Sequence, residues 1–118
     1  MLLVGFGLDD TIENVKKMAY KVANLRIYPD SDDKLNLSIL DMGESILSIS
    51  QFTLYADTKK GHRPSFSGAL KDGAKELYLA FNEILRKEYN IKVEEGIFGA
   101  DMNVTFTNLG PTTIMLEF

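Results

Sequence analysis

From Ser45 to Tyr55 apolar side chains fall on both faces of what reads as one extended strand. Ile46, Phe52 and Leu54 lie on one side, Leu47 and Ile49 on the other. A strand apolar on both faces must be covered on both, so this segment is expected at the centre of a sheet. The other elements arrange themselves around it. Leu2–Phe6 reads as a buried strand. Asp9-Asp10-Thr11 opens a helix, with Asp10 and Glu13 at capping-box spacing. Ile12, Val15, Met18, Ala19 and Val22 recur at helical spacing and form its apolar face, which places Met18 in the core. Leu25–Tyr28 is a short strand stopped by Pro29. Leu35, Leu37 and Ile39 alternate as a strand does, and Asp41-Met42-Gly43-Glu44 turns the chain.

Beyond the central strand, Ala56–Ala69 is irregular, and loops of that length inside a small domain are often functional. Asp72 is a candidate cap for a second helix with Ala74, Leu77, Tyr78, Phe81, Ile84 and Leu85 on its apolar face. Ile91–Val93, Met102–Thr107 and Thr112–Phe118 read as strands, the last two joined by the turn Asn108-Leu109-Gly110-Pro111. The order predicts one α+β domain over residues 1–118, with a mixed sheet and two helices.

Composition excludes several classes of function. There is no cysteine, so disulfides and thiolate chemistry are out, and a reducing, cytoplasmic setting is expected. The apolar start, Met1–Gly7, has no basic flank before it and no cleavage site after it, so no signal peptide is expected. No apolar run approaches the roughly 20 residues that cross a bilayer. A net charge of −4 counts against binding nucleic acid by bulk electrostatics, and no DNA partner is expected. One local basic patch remains, Lys59-Lys60-Gly61-His62-Arg63. It reads either as a solvated turn or as a grip on a single RNA end.

The familiar catalytic constellations are missing. His62 is the one histidine, and a triad would need it beside Ser50, Ser65 or Ser67, none of which sits in a Gly-x-Ser-x-Gly elbow. Asp30-Ser31-Asp32-Asp33 lacks the glycine and distal glutamate of a calcium loop, and no other metal-ligand spacing is present. Gly5-Phe6-Gly7 lacks the third glycine and the lysine of a phosphate loop. Neither metal nor cofactor is expected. What stands out is Ser50-Gln51-Phe52-Thr53-Leu54-Tyr55-Ala56-Asp57, where polar Ser50, Gln51 and Thr53 interrupt an apolar strand. Such a cluster is either a hydrogen-bonded network between strands or a site.

Ser50–Asp57 matches the Ser-Gln-Phe-Thr-Leu-Tyr-Ala-Asp signature of D-aminoacyl-tRNA deacylases, and Asn108-Leu109-Gly110-Pro111-Thr112-Thr113 matches their Asn-x-Gly-Pro-x-Thr motif. Arg63-Pro64-Ser65-Phe66, Phe98-Gly99-Ala100-Asp101-Met102, Asn24-Leu25-Arg26-Ile27 and Leu35-Asn36-Leu37-Ser38 also resemble family text, in order. The chain is therefore identified as similar to that family over essentially its whole length. It departs at Thr112, where the family usually has Val or Phe. Family members also begin with a β-hairpin upstream of the strand that opens this chain, so the chain is expected to be shortened at its N-terminus, with one sheet edge bare.

The resemblance implies a strongly curved, barrel-like sheet and a homodimer that cleaves the ester between an amino acid and the 3′-terminal adenosine of tRNA. The pocket would lie at Ser50, Gln51, Phe52 and Thr53. Thr53 is one candidate nucleophile. The competing view uses backbone groups and the RNA 2′-hydroxyl, and it is preferred because Thr53 has no evident base. Gly110-Pro111 would be cis and would enter the partner's pocket to exclude L side chains, steadied by Asn108 and Thr113, with Met102 also touching substrate. Glycyl-tRNA would be a side substrate. Lys59, Lys60, His62 and Arg63 would meet tRNA. Two other readings stay open: a non-catalytic dimeric binding module, and a Ser50/His62 hydrolase of small esters.

Overall fold

The computed structural model describes residues 1–118. Its centre is a three-stranded parallel sheet, in which β4 (Ile46–Ser50) lies between β1 (Leu2–Val4) and β7 (Val93–Glu95). Leu3 pairs with Ile49, and Leu47 with Glu94. The expected central strand is thus central, though shorter. Two helical crossovers connect the parallel strands, as parallel pairing requires. The first carries α1 (Ile12–Asn24) and the second α3 (Lys71–Lys87).

Both helices pack their apolar stripes against the sheet. Val15, Ala19 and Ala23 from α1 and Tyr78, Phe81 and Leu85 from α3 join Val4, Ile46 and Val93 in one buried cluster, with Met18 and Val22 at its margin. Alanines at two positions of the α1 stripe let the helices approach closely. Polar groups then set the register. The Tyr78 hydroxyl donates to the Ser48 carbonyl at 2.7 Å, and Arg86 donates to the Val93 carbonyl through Nε at 3.1 Å and an Nη at 2.7 Å.

Two antiparallel ribbons complete the strands: β2 (Tyr28–Pro29) with β3 (Leu35–Leu37), and β5 (Ala56–Asp57) with β6 (Ser65–Phe66). The Asp30 carboxylate closes the first ribbon's turn by accepting from the Asp32 and Lys34 amides and from the Asn36 side chain. Those three bonds give the Asp30 carboxylate a structural role in the turn.

Several expectations need correction. There are three helices, because Ser38 caps a one-turn α2 (Ile39–Met42) that Gly43 ends in the left-handed conformation. Ile39 therefore leaves the strand pattern. Asp41 reaches back to the Ser38 amide and hydroxyl, bonds that hold its carboxyl below the ordinary aspartate range. The α1 cap is Thr11 with Asn14 rather than Asp10 with Glu13. Asp72 falls inside the first turn of α3, after Leu70.

The larger difference is in the sheet. It does not close into a barrel, and Met102–Thr107 and Thr112–Phe118 form no strands. Their alternating pattern marks a face to be covered. A strand also needs a partner edge, and within this chain these segments take none. Val104, Phe106, Leu109, Ile114, Met115 and Phe118 are consequently exposed.

Candidate active site

At Ser50 the chain leaves the sheet. Ser50 is still paired with Val4, and the Gln51 amide donates to the Val4 carbonyl at 2.8 Å. Phe52–Tyr55 then winds into a single 3₁₀ turn, with the Leu54 amide on the Gln51 carbonyl and the Ala56 amide on the Thr53 carbonyl. A helical turn leaves its first amides without an intrahelical acceptor, here those of Phe52 and Thr53. Turning out of the sheet also moves Phe52 and Leu54 from the expected core face to the surface.

The side chains at the turn are coupled. Gln51 donates through its amide nitrogen to the Thr53 hydroxyl oxygen in a short hydrogen bond. No carboxylate or imidazole bonds to Thr53. His62 is exposed and bonds to none of Ser50, Ser65 or Ser67. The arrangement brings Ser50, Gln51, Phe52 and Thr53 together and supplies no triad.

Two glycines and a tyrosine support the turn, a role that the sequence pattern does not assign to them. A Cβ at Gly5 would lie 2.9 Å from the Gln51 carbonyl oxygen and 3.3 Å from the Leu54 Cβ. The Tyr55 ring packs on Gly7, where a Cβ would come within 3.1 Å of it. Asp10 accepts from the Gly7 amide at 2.6 Å and from the Tyr55 hydroxyl at 3.5 Å. Burial, then the carboxylates of Asp10 and Glu117, push the Tyr55 hydroxyl above its ordinary pKa, so it stays a donor. The visible signal was Gly-x-Gly directly after a strand, which fits a close approach of two backbones as well as it fits a phosphate loop.

The remaining expected residues are dispersed. The Met102 sulfur rests on Gly96 at the end of β7, with Ile49 alongside. Gly110–Pro111 is cis, and Gly110 has φ 115°. The Asn108 amide donates to the Thr113 hydroxyl at 3.2 Å across this turn, as expected. Asn108 to Thr113 are all exposed, and no hydrogen bond ties them to Ser50–Thr53 of the same chain. Lys59, Lys60, His62 and Arg63 are exposed on the loop between β5 and β6, and the three formal cations form no ion pair. A concavity of about 320 Å³ between Ile39, Glu44, Tyr89 and Lys92 lies at the opposite end of β4 and contains none of these residues. No helix is long and apolar enough to cross a membrane.

Comparison with known proteins gives the family. A family model described as D-Tyr-tRNA(Tyr) deacylase matches residues 1–117. A Bacillus subtilis (strain 168) protein described as "Inactive D-aminoacyl-tRNA deacylase" is 53% identical over 118 residues, spanning 99% of this chain and 89% of that protein. The chain belongs to the D-Tyr-tRNA(Tyr) deacylase family. A solved structure titled "c-Myc DNA Unwinding Element Binding Protein" superposes with a TM-score of 0.90 at 39% identity, covering 98% of this chain and 78% of that one. A probable eukaryotic D-amino acid tRNA deacylase superposes with a TM-score of 0.66 at 18% identity, over 84% of this chain and 73% of that one, a likeness of fold.

Proposed function

We propose that this protein hydrolyses the ester of D-aminoacyl-tRNA, releasing the D-amino acid and tRNA. The observation that carries the reading is the 3₁₀ turn that starts at Phe52–Thr53, set against Val4 and Gly5, on exposed residues whose amides take no acceptor within the turn. An activated ester needs an oxyanion partner and a positioned attacking group, and backbone amides supply the first without reorganisation. Thr53 is a poor nucleophile in this setting. Its hydroxyl accepts from Gln51 and has no base to take its proton, which leaves the RNA 2′-hydroxyl and water for the chemistry.

The unit that acts is a homodimer. A compact monomer of 13.2 kDa exposes about 6,400 Å². This chain exposes 8712 Å², a surplus of about 2,300 Å² against the roughly 800 Å² per partner of an ordinary stable interface. Much of the apolar part lies on residues 102–118, so that segment belongs against a second copy, with Gly110-Pro111 entering the partner's pocket beside Ser50, Gln51 and Phe52. There a small rigid turn excludes an L side chain and admits a D side chain or none. Sedimentation at micromolar concentration is expected to give a dimer; a monomer would remove the partner from the mechanism.

The chemistry is tested with a substrate series. D-Alanyl-tRNA and glycyl-tRNA are expected to lose their amino acids, and L-alanyl-tRNA to keep its own. Parallel loss of all three would leave the proposed exclusion without support. Two variants separate binding from chemistry. His62→Ala is expected to keep most of the single-turnover rate, since this side chain has no proton to carry. Replacing Lys59, Lys60 and Arg63 with alanine is expected to raise the enzyme concentration needed and flatten the dependence on salt, by about 0.7 in log–log slope per lost phosphate contact. A collapsed rate in His62→Ala would favour the Ser50/His62 hydrolase instead.

A second reading is a dimeric binding module that no longer cleaves. It is favoured by the word "Inactive" in the description of the Bacillus relative and by the DNA-element name of the structural relative. Under that reading charged tRNA binds and both enantiomeric esters survive.

A further inference from the structure

We infer that the β5–β6 ribbon is a stacking platform for an unpaired nucleobase, with Phe66 as its principal surface. The inference deepens the proposed tRNA reading by assigning a base subsite to the same end of the molecule. Phe52 and Phe66 meet edge to face with ring centroids 5.0 Å apart. Even so, Phe52 is 64% and Phe66 49% exposed. Two phenyl rings in contact at a surface offer an apolar aromatic face. Their mutual contact leaves about half or more of each residue open to solvent.

The charge beside them points to the occupant. Phe66 pairs with Ala56, and the connecting loop carries Lys59, Lys60 and Arg63 with no ion pair among them. The start of the loop is ordered by the Asp57 carboxylate, which accepts from the Lys59 amide at 2.9 Å. Arg63 precedes Phe66 by three residues, placing its backbone within roughly 10 Å of the ring at strand rise. On a chain of net charge −4, unpaired cations next to exposed rings match a ligand with phosphates and flat faces. That is a single strand of nucleic acid, where rings take bases and cations take the backbone. A duplex keeps its base faces stacked inside and offers the rings nothing. An apolar protein partner would use the rings and leave the cations without a role.

The test is fluorescence anisotropy of the intact protein with an uncharged single-stranded RNA ending in CCA, the same sequence as DNA, and a blunt duplex. The single strands are expected to bind at least tenfold more tightly than the duplex. Preference for RNA over DNA identifies a tRNA end as the source, and equal binding identifies single strands in general. Phe66→Leu keeps apolar bulk and loses the π face; it is expected to weaken binding about tenfold with an unchanged salt slope. Phe66→Tyr is expected to retain parental affinity, and thermal melting of both variants checks that the fold survives. Equal affinity of Phe66→Leu and parent, or no preference for single strands, would overturn the platform. Because these oligonucleotides carry no ester, binding with no hydrolysis of charged tRNA would remove the deacylase reading and leave the platform standing.

Discussion

Gly5→Ala is expected to lower the single-turnover rate of D-aminoacyl ester hydrolysis by about a hundredfold, with the fold retained. The added Cβ would lie 2.9 Å from the Gln51 carbonyl oxygen. A backbone oxygen cannot swing aside as a side-chain tip can. The same peptide segment is tied to β1 by the 2.8 Å bond from the Gln51 amide to Val4, so relief has to come from moving the 3₁₀ turn. Displacement of reacting groups by an ångström costs about two orders of magnitude in rate, because the bound geometry must already be near that of attack. Gly73→Ala is the matched control. Nothing lies within 4 Å of its Cβ position and it sits in α3, so the change is expected to stabilise slightly and leave the rate alone. Single-turnover kinetics of both variants decide the matter; a Gly5→Ala protein as fast as its parent would mean that the turn does not position the reaction.

The second large effect is on stability. Leu85→Ala is expected to cost about 2–5 kcal/mol. Leu85 is completely buried where α3 meets α1 and the sheet, and only 15 of 118 residues are buried in the chain. A core this small has little to share the loss. Against a total of about 5–15 kcal/mol for an ordinary domain, the variant is expected to melt about 8–20 °C lower. Leu79→Ala, on the partly exposed side of the same helix, is expected to change the midpoint far less. Chemical and thermal unfolding of the pair would contradict the described core if the two variants lost equal stability.

What was legible in the sequence was whatever depends on periodicity. Ile46, Leu47 and Ile49 mark a strand with layers on both sides, and β4 is central. Val15, Ala19, Tyr78, Phe81 and Leu85 mark the helix faces that meet over it. Asn108 and Thr113 flank the turn of the family motif, and their side chains bond across it. The errors have a common physical origin. Periodicity says which face is apolar and does not say where a chain leaves its sheet, so Phe52 and Leu54 were assigned inward although the turn after Ser50 carries them out. Nor does it say which edge a strand will find, so Met102–Thr107 and Thr112–Phe118 kept a strand pattern without a strand. Gly5-Phe6-Gly7 superficially resembles part of a phosphate loop, and its use is to let neighbouring chain segments approach closely. Asp10 looked like a helix cap. It serves instead as the acceptor that joins Gly7 to Tyr55, and Thr11 takes the cap. Three-dimensional neighbours settled each of these cases.

The motif at Ser50–Thr53 is compact within one chain, whereas Gly110-Pro111 stands apart and exposed. Under the proposed function, chiral selection by that turn depends on a second copy, and rate and selectivity are expected to be separable. Changes at Gly5 are then expected to alter the rate for every accepted ester, and changes at Gly110 to alter which esters are accepted. A Cβ at Gly110 would meet the Thr112 hydroxyl at 2.9 Å in a backbone conformation that L side chains rarely adopt.

The most direct measurement is the decay of D-tyrosyl-tRNA and L-tyrosyl-tRNA, at equal concentration and under single-turnover conditions, in the presence of the intact protein. The expected result is rapid loss of the D ester with the L ester decaying at its spontaneous rate. Spontaneous decay of both esters, with tRNA bound, would contradict hydrolysis and leave the binding module.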